Sequence, residues 1–303
     1  MQERVMLLDT ASLYFRAYYG MPDTVRAPDG TPVNAARGLL DMIAKLATTY
    51  SPSGIVACWD DDWRPQWRVD LIPSYKAHRV AEVASSGPDV EEVPDPLEAQ
   101  LPVIREELEA LGIPIVGRAH HEADDVIGSF AAQANGPVDI VTGDRDLFQL
   151  VDDTRGARVI YTARGMSNLE VMTDATVVAK YRILPGQYAD FATLRGDASD
   201  GLPGVPGIGE KTAATLLAAH GDLAGIIAAA TAGEGMSAGL QAKVLAALPY
   251  LEVAPRVVSV VRDLDLADAP APRAPDAGLA AAVAERWALG ASMQRALAAL
   301  TTS

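Results

Sequence analysis

Cysteine occurs once in 303 residues, at Cys58. No intrachain disulfide can form, and a reduced cytoplasm is the expected home. Cys58 lies in the run Ile55-Val56-Ala57-Cys58-Trp59 and reads as a small buried hydrophobe. Histidine occurs four times, and no Cys/His spacing suits zinc. No apolar stretch reaches the roughly 20 residues that a membrane helix needs. The start has one arginine and a short apolar run closed by Asp9, which is not a signal peptide. Aromatic residues make up only 6%. Basic residues are also scarce: 25 Lys and Arg face 40 Asp and Glu, for a net charge of −15. A nucleic-acid binder is ordinarily basic, so such a partner would require bound cations and local basic patches.

The length allows one large domain, or a large and a small one, around a substantial core. Residues 4–9 read as a buried strand ending in a carboxylate. Residues 33–50 carry Ala36, Leu39, Leu40, Ile43, Leu46 and Ala47 at helical spacing. A second β-rich run, 54–59, precedes Asp60-Asp61-Asp62. Residues 63–79 are aromatic and basic, and 80–96 read as a mobile connector without a period. An amphipathic helix over 97–111 leads to a short strand at 114–116. Glu122 opens a helix to about residue 134. Residues 138–142 form a further strand before Gly143-Asp144-Arg145-Asp146, and 159–161 another. This alternation predicts an α/β fold with a mainly parallel central sheet flanked by helices. From about residue 174 the pattern is helical, rich in alanine after 210, with a Pro/Ala loop at 268–276 before a final helix.

Ligands of open α/β sheets bind beyond the carboxyl ends of the strands. Asp9, Asp60, Glu122, Asp144 and Asp146 all fall at that edge, and Asp197 and Asp200 extend the group to five chain segments. Unit charges 4 Å apart repel by roughly 4 kcal/mol at an effective dielectric of 20. Either the carboxyls hold protons or cations neutralise them. Oxygen ligands in such numbers suit Mg²⁺ or Mn²⁺. Glu122 and Asp125 share a face of a first helical turn, where the helix dipole also favours acids. Each group alone has an ordinary alternative as an acidic turn or helix start. Together, at one sheet edge, the groups must share space.

These motifs resemble the 5′-nuclease (flap endonuclease) superfamily, and most closely the 5′-nuclease domain of bacterial family-A DNA polymerases and its free-standing relatives. The likeness runs almost end to end. It rests on Leu8-Asp9 with Tyr14-Phe15-Arg16-Ala17, Trp59-Asp60, Tyr75-Lys76-Ala77-His78-Arg79, Glu122-Ala123-Asp124-Asp125, Thr142-Gly143-Asp144-Arg145-Asp146, and the segment Gly196 to Ala213. No polymerase domain follows Ser303, so a stand-alone nuclease is expected. The resemblance implies an α/β nuclease core at 1–172, with a helical arch at about 63–96. It implies a helical DNA-binding region at 173–303, whose helix–two-turn–helix motif at about 196–222 completes the metal site. Asp9, Asp60, Glu122, Asp124 and Asp125 would hold one divalent cation, and Asp144, Asp146, Asp197 and Asp200 a second. Asp61 remains an alternative to Asp60. The segment after Arg79 departs from the family in being acidic (Glu82, Asp89, Glu91, Glu92).

The same resemblance assigns Lys76 and Arg79 to the scissile phosphate, where organised cations stabilise developing charge. Arg16, Arg64 and Arg68 are read as phosphate contacts and Tyr75 as a stacking platform for a terminal base. Gly204, Gly207 and Gly209 let backbone N–H groups approach phosphate at a helix start, beside Lys211 and Thr212. K⁺ is possible at that turn, on backbone carbonyls. The implied substrate is DNA with 5′ ends, flaps or nicks, bound by a monomer away from membranes. The implied reaction is in-line hydrolysis by metal-activated water, leaving 5′-phosphate and 3′-hydroxyl ends, in replication and repair. Two rivals are a ribonuclease of the related PIN type, which would not need residues 196–213, and a non-catalytic DNA-end binder, which would lack ligands.

Overall fold

The computed structural model describes residues 4–84, 87 and 89–301. Strand β1 (Val5–Asp9) feeds helix α1 (Thr10–Gly20), whose first turn is capped by the Asp9 carboxylate accepting from Ser12 N at 3.2 Å. Helix α2 (Asn34–Tyr50) buries the apolar stripe expected from its spacing. Strand β2 (Gly54–Cys58) follows, then the short helix α3 (Gln66–Leu71). A 3₁₀ turn at Ala77–Arg79 leads into a small antiparallel pair, β3 (Val80–Glu82) and β4 (Val90–Glu91). The described part of 63–96 therefore contains a short helix and a hairpin in place of a continuous helical arch. Residues 85, 86 and 88 of the expected connector lie outside the described residues.

The chain continues through α4 (Asp95–Glu98), α5 (Leu101–Ala110), β5 (Ile115–Val116), α6 (Ala123–Gln133), β6 (Val138–Thr142), β7 (Ala157–Tyr161) and β8 (Glu170–Met172). The central sheet has the order β5-β2-β1-β6-β7-β8. All its pairings are parallel except that of β8, which runs antiparallel at the edge and had no clear signal in the sequence. Leu7 sits between Val56 and Ile140 in register. Strands covered on both faces need continuous apolar runs, and β1 and β6 have them. The exception, Asp139 in β6, is buried but paired with Arg4 at 2.7 Å and with Arg158 at 2.8 Å. The chain fills the β2–β5 side before returning to β6, so the topological switch lies between β1 and β6. A crevice opens at such a point beyond the carboxyl ends of the strands.

Helices α7 (Asp174–Tyr181), α8 (Tyr188–Arg195), α9 (Glu210–His220), α10 (Leu223–Ala232), α11 (Ala238–Ala246), α12 (Leu248–Leu251) and α13 (Ala254–Val258) share one apolar core with α6 and one face of the sheet. The last two helices, α14 (Ala277–Arg286) and α15 (Gly290–Thr301), belong to the other core, with α1, α2 and α5. A division at residue 172 thus does not leave 173–303 as one body. The Pro/Ala stretch works as a strap across the sheet: Arg273 N donates to Gly112 O and Asp276 N to Ala110 O, both at 2.9 Å. Gly112 has φ +68°, and any side chain there would collide with the strap's carbonyls. No single described helix is long and apolar enough to cross a membrane.

Candidate metal centre and nucleic-acid face

The switch-point crevice collects the acids. Asp9 ends β1, Asp60 follows β2, Glu122 to Asp125 open α6, Asp144 and Asp146 follow β6, and Asp197 and Asp200 flank a 3₁₀ turn after α8. The last pair reaches the others because Gly201, at φ +69°, lets its turn lie directly against Ser74. Lys76 N then donates to Asp200 O at 2.9 Å.

Crowding shows in the carboxyls. Burial, and then the Asp60 and Asp144 charges, push Asp9 up to about 7. Asp124 is raised well above its usual range by burial and by Asp9 and Asp144. Asp146 is raised likewise by burial and by Asp144, Asp200 and Asp197. Asp60 and Asp200 are also raised by burial, with Lys76 opposing in both cases. Asp146 Oδ1 is buried without any hydrogen-bond partner. A buried orphan acceptor among repelling carboxyls is chemically suited to a hard cation, so the donor set fits Mg²⁺ or Mn²⁺. Among the described residues, however, no three of these side chains already enclose one point. Basic side chains pair with several of them.

Lys76 Nζ lies 2.5 Å from Glu122 Oε2, and Tyr75 Oη donates to Glu122 Oε1 at 2.7 Å. Arg79 Nη2 stands 3.0 Å from Asp200 Oδ1. Arg195 and Arg145 approach Asp197 Oδ2 at 2.9 and 3.7 Å. Lys76 and Arg79 thus each pair with a carboxylate of the cluster. Arg16 runs beside Gly143, with its Nε buried and unpartnered.

Four expectations about charged and aromatic side chains change. Asp125 is fully buried, and Arg68 grips both its oxygens at 2.8 and 2.7 Å. Its Oδ1 also accepts from Val261 N and its Oδ2 from Glu122 N. Burial would raise this carboxyl, but the Arg68 bonds and charge win and lower it. With its acceptors filled, Asp125 braces the site and does not ligate in this arrangement. Arg68, 2% exposed, is consumed by that pair and has no free face for DNA. Arg64 is buried too: it donates to Tyr75 O, Pro73 O and Asp89 Oδ2. Tyr75 is 4% exposed and packed edge-in against Glu122, so it offers no platform for a base. Of the aspartate triplet, Asp60 Oδ1 accepts from Ala123 N at 2.8 Å and faces the cluster. Asp61 leans on Gly117, and Asp62 caps Arg64 N.

Three kinds of residue escaped the sequence reading. Thr142 Oγ1 donates to Asp9 Oδ2 at 2.6 Å and accepts from Asp144 N at 2.8 Å. Ser12 Oγ accepts from Gly143 N at 2.9 Å. Neither carries charge, so a search for acids passes over both; their only signal is position, at a strand end and in a helix's first turn. Lys180 and Arg182 face Lys211 and Thr215 across a groove. Arg182 ends α7 with φ +61°, a left-handed turn that no local signal announces. At the glycine turn, Gly207 and Gly209 are exposed, as is Lys211, and Thr212 is half-buried; Gly204 is buried against Gly196. Gly204 serves the close approach of two chain segments and presents no surface to phosphate. Gly207 O accepts from Lys243 Nζ at 3.2 Å, so an ammonium already sits on that carbonyl.

Carboxylates converging at the end of a parallel sheet, with a cationic rim and a helical appendage, define an α/β nuclease of the acidic-centre class. The family model for the 5′-3′ exonuclease N-terminal resolvase-like domain matches residues 4–182, and that for the 5′-3′ exonuclease C-terminal SAM fold matches 183–274. A Streptomyces coelicolor protein called 5′-3′ exonuclease is 60% identical, covering 98% of this chain and all of its own length. A Mycobacterium tuberculosis protein called 5′-3′ exonuclease is 48% identical, over 100% of this chain and 99% of its own. DNA polymerase I of M. tuberculosis is 38% identical over 88% of this chain but only 28% of the polymerase. Bacteriophage T5 5′-exonuclease with divalent metal ions (zinc) bound shares the fold at TM-score 0.66 and 17% identity, covering 99% of each chain. The catalytic core of Rad2 in complex with DNA substrate shares it at TM-score 0.63 and 17% identity, covering 99% of this chain and 92% of that one. The chain belongs to the 5′-3′ exonuclease family.

Proposed function

We propose that this chain is a structure-specific 5′-nuclease, a divalent-metal-dependent phosphodiesterase that cuts DNA at 5′ ends and flaps. One observation carries the reading. Acids from five chain segments converge at the switch point, one with a buried, partnerless oxygen, beside Lys76 and Arg79. Its relatives called 5′-3′ exonuclease, and the T5 and Rad2 folds crystallised with metal ions or DNA, support it.

Asp9, Asp60, Glu122 and Asp124 would hold one cation, and Asp144, Asp146, Asp197 and Asp200 a second. When bound, Mg²⁺ or Mn²⁺ lowers the pKa of the attacking water and offsets charge on the leaving oxygen. Burial and repulsion raise the Asp9 and Asp124 carboxyls, and bound cations would offset that repulsion. Lys76 and Arg79 are freed from Glu122 and Asp200 and turn to the scissile phosphate, where they orient it and stabilise developing charge. The exposed backbone at Gly207 and Gly209, with Lys211, grips the duplex away from the cut. Lys243 Nζ occupies the Gly207 carbonyl, on the turn where the resemblance allows K⁺.

The test is a 5′-labelled flap duplex incubated with Mn²⁺, with Mg²⁺ and with chelator, beside Asp144→Ala. Metal-dependent cutting near the junction, lost in the variant, is the expected result. Tight binding without cutting would overturn it in favour of an end-binding protein. Cutting of single-stranded RNA alone would overturn it in favour of a ribonuclease.

A further inference from the structure

Both oxygens of Asp197 are engaged, but its side chain is 13% exposed, unlike the enclosed Asp125. Its Oδ1 accepts from Ser199 N at 2.9 Å and also from the Ser199 hydroxyl. Its Oδ2 faces Arg195 Nη2 at 2.9 Å and Arg145 Nη2 at 3.7 Å. Arg195 is held in place: its side chain is only 10% exposed, its Nε donates to Gly196 O at 3.0 Å, and its guanidinium stacks near Phe191. The other arm of both arginines points to the same acid at the start of α9. Arg195 Nη1 lies 3.3 Å, and Arg145 Nη1 3.8 Å, from Glu210 Oε1. Glu210 follows the exposed Gly209 and precedes Lys211, and its own side chain is 56% exposed.

We infer that Arg195 is a gate on the second cation position, clamping Asp197 in the metal-free protein, and that Glu210 sets how firmly the clamp holds. The inference rests on the reading of Asp197 as a cation ligand. A divalent cation reaches Asp197 Oδ2 only when Arg195 swings off or shares it. Glu210 pulls the two guanidiniums the other way and so weakens their hold on Asp197. A phosphate of the duplex at the start of α9 adds negative charge on that side and draws the guanidiniums further. Duplex and cation then favour one another's binding, and by linkage each raises the other's affinity by the same factor. Arg195 is a positioning residue here; no part of it need touch substrate.

The gate makes predictions of opposite sign for two neighbouring residues, which a merely structural role does not. The experiment titrates Mn²⁺ without DNA, by calorimetry and by the loss of free Mn²⁺ signal in electron paramagnetic resonance. It uses the full chain and the variants Arg195→Met, Arg195→Lys, Glu210→Gln and Asp144→Ala. Arg195→Met removes a competitor, so the weaker Mn²⁺ affinity should rise about five- to ten-fold, with Arg195→Lys between it and the native protein. Glu210→Gln should lower that affinity, by about two-fold because the group is solvent-screened. Flap-duplex affinity, read by anisotropy with Ca²⁺ and with chelator, should differ less between the two conditions in Arg195→Met than in the native protein. Weaker Mn²⁺ binding by both Arg195 variants, with unfolding temperatures unchanged, would overturn the gate, as would an unchanged affinity. Failure of the native protein to bind Mn²⁺, or binding untouched by Asp144→Ala, would overturn the metal reading itself.

Discussion

Thr142 joins Asp9 to the loop that carries Asp144: its hydroxyl donates to Asp9 Oδ2 at 2.6 Å while accepting from Asp144 N at 2.8 Å. The side chain is fully buried. It therefore fixes the spacing of two candidate ligand segments that come from adjacent parallel strands. Thr142→Val keeps the shape and removes both bonds. It should cost about 1–3 kcal/mol of stability, since Asp144 N and Asp9 lose a buried partner. It should also weaken Mn²⁺ binding by about 10- to 100-fold, the usual scale for residues that orient ligands. Mn²⁺ titration of the folded variant checks this; unchanged affinity would show that the carboxylates find their places without the hydroxyl.

Arg68 and Asp125 form a buried, two-pronged ion pair 57 residues apart in sequence. Removing one partner strands a charge. Arg68→Met should destabilise by about 3–5 kcal/mol, and the double variant Arg68→Met with Asp125→Leu should recover most of that. Urea unfolding of the four-member cycle measures both. Asp125→Asn should leave the number of bound Mn²⁺ ions unchanged, because Asp125 braces and does not ligate. One fewer bound ion in that variant would return Asp125 to the ligand set.

What the sequence made legible, and what it hid, follows the range of the forces involved. Strands β1, β2 and β6 are apolar runs broken only by Asp139, and such runs announce buried parallel strands by themselves. The acids at their ends share an edge by topology alone, so the centre was legible once the alternation of strands and helices was seen. Strand β8 is three residues at a sheet edge, too short to show a period. The β3–β4 pair is hidden because residues 80–96, rich in Pro, Ser, Glu and Val, show no clear period. Arg64 and Arg68 looked like phosphate contacts because their partners, Asp89 and Asp125, lie 25 and 57 residues away. A local window shows a basic side chain but not the remote carboxylate that buries it.

Glu107 on α5 is fully buried, and neither of its oxygens has a partner. Burial alone pushes its carboxyl well above the usual value of 4.5. The sign follows: the folded protein prefers the neutral acid, whereas the unfolded chain ionises freely above about pH 4.5. The contribution to stability is whole below that pH and is lost as pH rises toward the folded value, at about 1.4 kcal/mol per pH unit. Glu107→Leu removes the dependence. Its unfolding temperature should exceed the native protein's at pH 8, and the gap should shrink by pH 5. A gap that stays constant between the two would mean that a hydrogen bond or water satisfies Glu107 in solution.

Two arginines at opposite ends of the basic reading separate binding from bracing. Arg64 is enclosed by Tyr75 O, Pro73 O and Asp89, whereas Arg182 lines the open groove with Lys180 and Lys211. Affinity for duplex falls with salt in proportion to the phosphates neutralised, with a slope of about 0.9 per contact. Arg182→Ala and Lys211→Ala should each reduce the slope of log affinity against log salt by about 1 and leave the unfolding temperature nearly unchanged. Arg64→Ala should do the reverse. Its slope should match the native protein's, while stability falls because Asp89, 12% exposed, loses its ion-pair partner. Anisotropy titrations at several salt concentrations, beside thermal melts, give both readings. A lowered slope for Arg64→Ala would mean that the segment reopens on DNA and turns that guanidinium outward.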